Sequence, residues 1–196
     1  MQQDQIEAIL RFWFGAPGSE EAAYSQRRKL WFGKRPEFDQ AIRQQFQSVY
    51  QQAAIGEFDT WQATPLGCLA LIILLDQFPR NMFRNSPQAF ATDEKALKVA
   101  QHAIETGFDQ QLAPIQRMFV YLPFEHSEEI ENQKRSVELS QQLCRDAPEL
   151  TDVFEYAERH RLVIERFGRF PHRNRILGRA STPEELEFLQ QPGSSF

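Results

Sequence analysis

Apolar residues recur along this chain at helical spacing, and almost nowhere with the strict alternation of a half-buried strand. Ile6, Ile9, Leu10 and Trp13 mark one face of a first helix that should close near Gly15-Ala16-Pro17-Gly18. Phe38, Ile42, Phe46, Val49 and Ala53 mark a second, with Gly56 at its stop. Thr64-Pro65 reads as a cap followed by proline at the first helical position, where its missing N–H costs nothing. The ten residues Leu66 to Leu75 are all apolar or small. A bilayer span needs about 20 such residues. A helix apolar on every side must instead be buried on every side, so this is the expected centre of the core, ended by Pro79.

Further start signals are Ser86-Pro87 and Thr92. They precede a helix through Ala96, Val99, Ala100 and Ala103 that ends near Gly107. Pro114 opens a helix carrying Ile115, Met118, Phe119 and Leu122, expected to stop before Pro123. Ser127-Glu128-Glu129 should begin the next, since carboxylates favour the first turn. Val153, Ala157, His160, Ile164 and Phe167 share a face that Gly168 would end. Thr182-Pro183-Glu184-Glu185 is a complete capping box. The expected architecture is one all-α domain over residues 1–196, built of stacked antiparallel helix pairs in a TPR-like array, although no strict 34-residue period is readable.

Composition changes this picture little, but charge distribution does. Hydrophobic residues make up 41% and charged residues 25%, which excludes disordered and low-complexity classes. Cys68 and Cys144 offer neither a disulfide framework nor a metal set. With no leader pattern at its start, the chain is expected in the cytoplasm, without a membrane segment. The net charge is −5, yet the stretch from Arg159 to Arg179 holds seven arginines against one acid, Glu165. A +6 segment inside an acidic chain must either pair with the chain's own carboxylates or meet an anion.

Three segments break the helix-and-turn pattern. They are Asp76-Gln-Phe-Pro-Arg80-Asn81-Met-Phe-Arg84, Tyr121-Leu-Pro-Phe-Glu125-His126-Ser127-Glu128, and the stretch from His160 through Arg166-Phe-Gly-Arg169-Phe-Pro-His172-Arg173-Asn174 to Arg179. With Phe12-Trp-Phe, Trp31-Phe32 and Leu177-Gly-Arg, they make the chain resemble, over nearly its whole length, the bacterial family known as domain of unknown function 924. The resemblance implies an all-helical, TPR-like fold and supplies no activity, so no catalytic residue is carried over from it.

From the residues themselves, the leading expectation is a binding module. In it the three segments converge on an Arg-lined cleft for a small anionic ligand or peptide, such as a peptide carboxylate or a phosphorylated small molecule. Arg80, Arg169, Arg173 and Arg179 would contact the anion, Asn81 and Asn174 would fix the turns, and Asp76 and Glu125 would orient the arginines. The alternative is a hydrolase or transferase in the same cleft, its acid–base pair drawn from His126, His160, His172 and Glu125. A third reading makes the motifs turn networks alone, with every arginine paired internally. Ser127 and Ser181 read as helix caps. No cofactor motif and no metal-ligand spacing is present, and a pI near 5.5 argues against nucleic acid. Phe12, Trp13, Phe14, Trp31 and Phe32 read as core, with a groove for a partner's side chains as the sharper alternative.

Overall fold

The structure is a computed structural model that describes residues 2–194. Ten α-helices follow one another among those residues, joined by short 3-10 turns and without a β-strand. They are α1 (Gln2–Phe14), α2 (Tyr24–Trp31), α3 (Pro36–Ala54), α4 (Pro65–Ile72), α5 (Phe78–Met82), α6 (Asp93–Glu105), α7 (Pro114–Glu125), α8 (Ile130–Asp146), α9 (Thr151–Phe167) and α10 (Pro183–Phe188). The all-α expectation therefore holds. No helix among the described residues is long and apolar enough to cross a membrane.

Helix α4 sits where its composition requires. Cys68 to Leu75 are all solvent-inaccessible, and α1, α6 and α7 pack around them. Gly67 permits this entry, because a side chain there would collide with the Trp61 carbonyl. An aromatic group closes the other side of the core. The Phe119 ring lies 4.7 Å from that of Trp31 and 5.6 Å from that of Trp13. The Trp31 indole N–H donates to the Trp13 carbonyl (2.9 Å). A smaller apolar cluster of Val163, Ile164 and Phe170 joins α9 to the segment that follows it.

Two prolines do not act as stops. The helical path of α4 continues through a π turn, Ile73–Gln77, directly into α5, with Pro79 in its first turn. A proline at 79 has no N–H to offer the Leu75 carbonyl four residues back. The Thr92 hydroxyl takes that role, donating to the Leu75 oxygen (2.5 Å). Thr92 was expected to cap α6, and it precedes α6, but its side chain makes no cap there. The widened turn also rotates Asp76 into the interior. Insertions of this kind are frequent at functional sites.

Pro123 lies inside α7, two residues before its end. One backbone bond is lost so near the terminus, and Phe119, Tyr121 and Phe124 are buried around it, so packing holds the last turn. Helix α8 begins at Ile130, three residues later than the carboxylate signal suggested. Ser127 instead accepts from the Glu129 N–H and the Asn132 amide. Helix α2 has no counterpart in the apolar pattern, whereas the ends marked by Gly168 and Thr182 agree with the sequence. Gly168 ends α9 at φ +67°, where a side chain would be strained. Thr182 and Glu185 close their capping box reciprocally.

Removing the Thr92 hydroxyl tests the bypass of Pro79. Thr92→Val leaves a buried carbonyl without a partner, at a cost of about 1–3 kcal/mol. Urea denaturation should show the midpoint falling with an unchanged slope.

Candidate functional site

Three helix faces enclose a cleft of about 310 Å³. Helix α2 and its C-terminus contribute Tyr24, Arg28 and Phe32, one every fourth residue. Helix α7 contributes Met118, Leu122 and Glu125, with His126 as its C-cap. Helix α9 contributes Asp152, Val153, Tyr156 and His160. The volume falls at the lower end of ordinary ligand pockets, about 300–1,000 Å³. Phe32 is 52% exposed. It is therefore a wall of the cleft rather than core, whereas Trp13 and Trp31 are core as expected.

The floor of the cleft carries its chemistry. His126 donates from Nδ1 to an Asp76 carboxylate oxygen (2.8 Å). Asp76 is wholly buried. Burial alone would raise its carboxyl pKa, but Arg80 and His126 beside it override this and hold it well below the usual range. It also accepts from the Gln77 amide (2.5 Å). An ionised carboxylate can only accept, so the proton sits on Nδ1 of His126 and Nε2 is the basic nitrogen. Burial, and next the Arg80 charge, lower the His126 pKa and leave the ring neutral at pH 7.

Glu125 stands beside it in the opposite state. Burial first, and the Asp76 charge second, push its carboxyl up to about 8, so it is protonated at neutral pH. One Glu125 oxygen lies 3.1 Å from His160 Nδ1. The same nitrogen is 2.8 Å from the Tyr156 carbonyl. A carbonyl cannot donate, so His160 carries its proton on Nδ1. Burial places the His160 pKa well below its ordinary value.

Behind the floor lies a charged lattice. Arg80 forks onto Asp93 (2.8 and 3.0 Å) and donates to the Asp76 and Ala89 carbonyls. Arg173 is enclosed between the rings of Phe90 and Phe170, at 4.7 and 4.5 Å, and lies 3.5 Å from Asp93. Burial and Arg80 lower its pKa to about 10. His172 packs 5.6 Å from Phe170, and burial with the Arg173 charge takes it down to about 4.

The three segments thus meet. Asp76 joins His126, Glu125 joins His160, and Glu128 receives both the Phe170 N–H (2.8 Å) and the Arg179 fork (2.6 and 2.9 Å). Glu125, His126 and His160 reach the cleft. Arg169 forks onto Glu185 (2.6 and 2.8 Å), which also receives the Asn174 amide (3.2 Å). Asn81 donates to Asp39 (2.7 Å), which Arg84 also holds, in a separate open groove on α3. None of Arg80, Arg169, Arg173 and Arg179 lines the cleft.

Two residues absent from the sequence reading matter here. Among the described residues Arg28 is the one guanidinium on the cleft wall, and its signals in the sequence are the Tyr24, Arg28, Phe32 spacing and the basic run Arg27-Arg28-Lys29. Gln133, fully buried on α8, donates to the carbonyls of Glu125 (2.6 Å) and Ser127 (2.6 Å). It therefore ties down the end of α7 that carries the acid and the base. No group of His, Cys, Asp and Glu among the described residues is arranged to hold a metal ion.

The fold and site define an all-helical protein with a buried Asp–His pair opening onto a small cleft. By its sequence the chain belongs to the family described as "Bacterial protein of unknown function (DUF924)", whose profile matches residues 9–193. A solved structure of a protein of unknown function from Agrobacterium tumefaciens is similar at 39% identity and a TM-score of 0.84, covering 97% of this chain and 99% of that one. No curated protein matches the chain.

The state of Glu125 has a measurable consequence. Its native pKa is raised, so the unfolded chain binds fewer protons between about 4.5 and about 8, and stability falls as pH rises through that window. The lowered histidines act oppositely, most steeply below their unfolded value of 6.5 and with a tail above it. From pH 6.5 to 8 the histidine contribution fades while that of Glu125 grows, so the Glu125 part is isolated by comparing wild type with Glu125→Gln. Over that interval wild type should lose between about 1 and 2 kcal/mol relative to Glu125→Gln, whose own stability should rise slightly as the unfolded histidines finish deprotonating, as read by urea unfolding of both proteins at each pH.

Proposed function

We propose that the cleft is the active site of a hydrolase that uses His126 as general base and protonated Glu125 as general acid. The observation that carries this reading is the Asp76–His126 hydrogen bond with Glu125 adjacent. It puts a neutral base with a fixed tautomer and a neutral acid on the floor of one pocket. Among the described residues no serine, threonine or cysteine lines the cleft, so water is the nucleophile. His126 Nε2 takes a proton from water as the water oxygen attacks an uncharged carbonyl carbon. The Glu125 carboxyl donates to the oxygen on which charge develops. When the tetrahedral species collapses, the C=O double bond re-forms and its oxygen gives the proton back to Glu125, while the bond to the leaving group breaks and that group takes the proton from His126, so both residues return to their starting states. Asp76 and Arg80 are positioning residues, as are His160 and Gln133.

Anion recognition keeps a narrower place in this reading. Arg80 and Arg173 act on the floor through Asp76 and Asp93, while Arg169, Arg179 and Asn174 hold the segment after α9 to Glu128 and Glu185.

Hydrolysis of p-nitrophenyl acetate and butyrate tests the proposal. The rate should rise through the lowered His126 pKa, below 6.5, and fall near 8 as Glu125 ionises. His126→Ala should lose about 100-fold or more. Glu125→Gln should remove the alkaline limb. A His126→Ala protein as fast as wild type, or no turnover of either ester above the buffer rate, overturns the proposal.

A further inference from the structure

The cleft is asymmetric from mouth to floor. The floor offers uncharged groups at neutral pH, the acid Glu125 and the bases His126 and His160. A charged group arriving there would lose its water and gain no counter-charge. The walls between are apolar, formed by Met118, Leu122 and Val153. At the mouth stands Arg28. Its Nε donates to Asp152 (2.6 Å), and its guanidinium lies 5.5 Å from the Tyr156 ring centre and 5.8 Å from that of Phe32.

Asp152 is already engaged. The Tyr24 hydroxyl bridges both its oxygens (2.9 and 3.0 Å). Burial first, then Asp152, raise the Tyr24 pKa far above normal, so that hydroxyl stays a donor. Asp152 therefore fixes the Nε side of the Arg28 guanidinium, which the Tyr24 and Tyr156 side chains also contact, while about a third of the Arg28 side chain stays exposed at the cleft. A planar cation clamped at one edge between aromatic rings suits a planar anion.

We infer that the substrate is an amphipathic monoanion, with a carboxylate held by Arg28 at the mouth, an apolar body along α7 and α9, and an uncharged ester or amide at the floor. This rests on the hydrolase reading for the last feature alone. The carboxylate contact can be tested by binding, without turnover.

Monomethyl adipate carries a carboxylate at one end and a neutral ester at the other. Dimethyl adipate is its uncharged counterpart. Calorimetric titration of the intact chain should show the monoester binding at least tenfold tighter than the diester. Arg28→Met should erase that preference. Arg28→Lys, which keeps the charge and loses the fork, should retain part of it, and both variants should melt cooperatively. His126→Gln should bind the monoester like wild type while failing to hydrolyse it. Equal binding of the two esters by wild type, no binding of the monoester, or unchanged monoester binding in a folded Arg28→Met protein overturns this inference. Arg28-dependent binding with equal hydrolysis by His126→Gln and wild type would instead leave it standing and remove the hydrolase reading.

Discussion

A carboxylate with no access to water anchors this protein's chemistry. Taking an isolated charge out of water costs several kcal/mol, recovered only where opposite charge and hydrogen bonds surround it. Asp76 meets that demand with Gln77 on its own turn, Arg80 one turn on, and His126 from α7. Arg80 in turn requires Asp93, and Arg173 beside Asp93 requires the two rings that enclose it. The order of helices around α4 can thus be read as the solution to one electrostatic problem. The π turn exists at the point where Asp76 must face inward, and its cost in backbone bonding is met by a hydroxyl from the start of α6.

The same logic explains why the site sits at helix ends. Helix termini leave carbonyls that need donors, and a buried side chain that supplies them fixes the terminus in place. Gln133 does so for α7. Pro123 loosens the last turn of α7 and Gln133 re-ties it, so Glu125 and His126 project from a segment whose position is set by α8 rather than by its own helix. The segment after α9 is held similarly. Glu128 takes a backbone N–H from Phe170 and a fork from Arg179, while Glu185 closes a cap and takes a fork from Arg169.

Helix existence was legible because burial imposes a period, and the period of Ile42, Phe46 and Ala53 or of Val153, Ala157 and His160 survives in the sequence. Pro79 and Pro123 misled because local rules describe an isolated helix: Thr92 repairs the first break from 13 residues away, and after the second Gln133 holds the helix end through the Glu125 and Ser127 carbonyls. The convergence of the three irregular segments was legible from their composition. Their division of labour was not. The arginine count drew attention to residues 159 to 179, yet Glu128 and Glu185 lie close enough in space to close the forks of Arg169 and Arg179. Arg28 lies in the basic run Arg27-Arg28-Lys29, a weaker excess than that of residues 159 to 179, and only the fold shows that its companion is Asp152 on α9.

Adjacent residues with opposite ionisation behaviour are the last consequence of the buried charge. Glu125 and His126 share nearly the same depth, and burial favours the neutral form of both. For the acid, the negative charge of Asp76 adds to burial and holds the proton on. For the base, Asp76 would hold a proton on too, but the positive charge of Arg80 joins burial in opposing it. Asp76 alone would raise the His126 pKa, and the Arg80 charge opposes that pull. The ion pair together yields a neutral acid next to a neutral base, so the arginine most prominent in the first motif acts on the cleft without entering it.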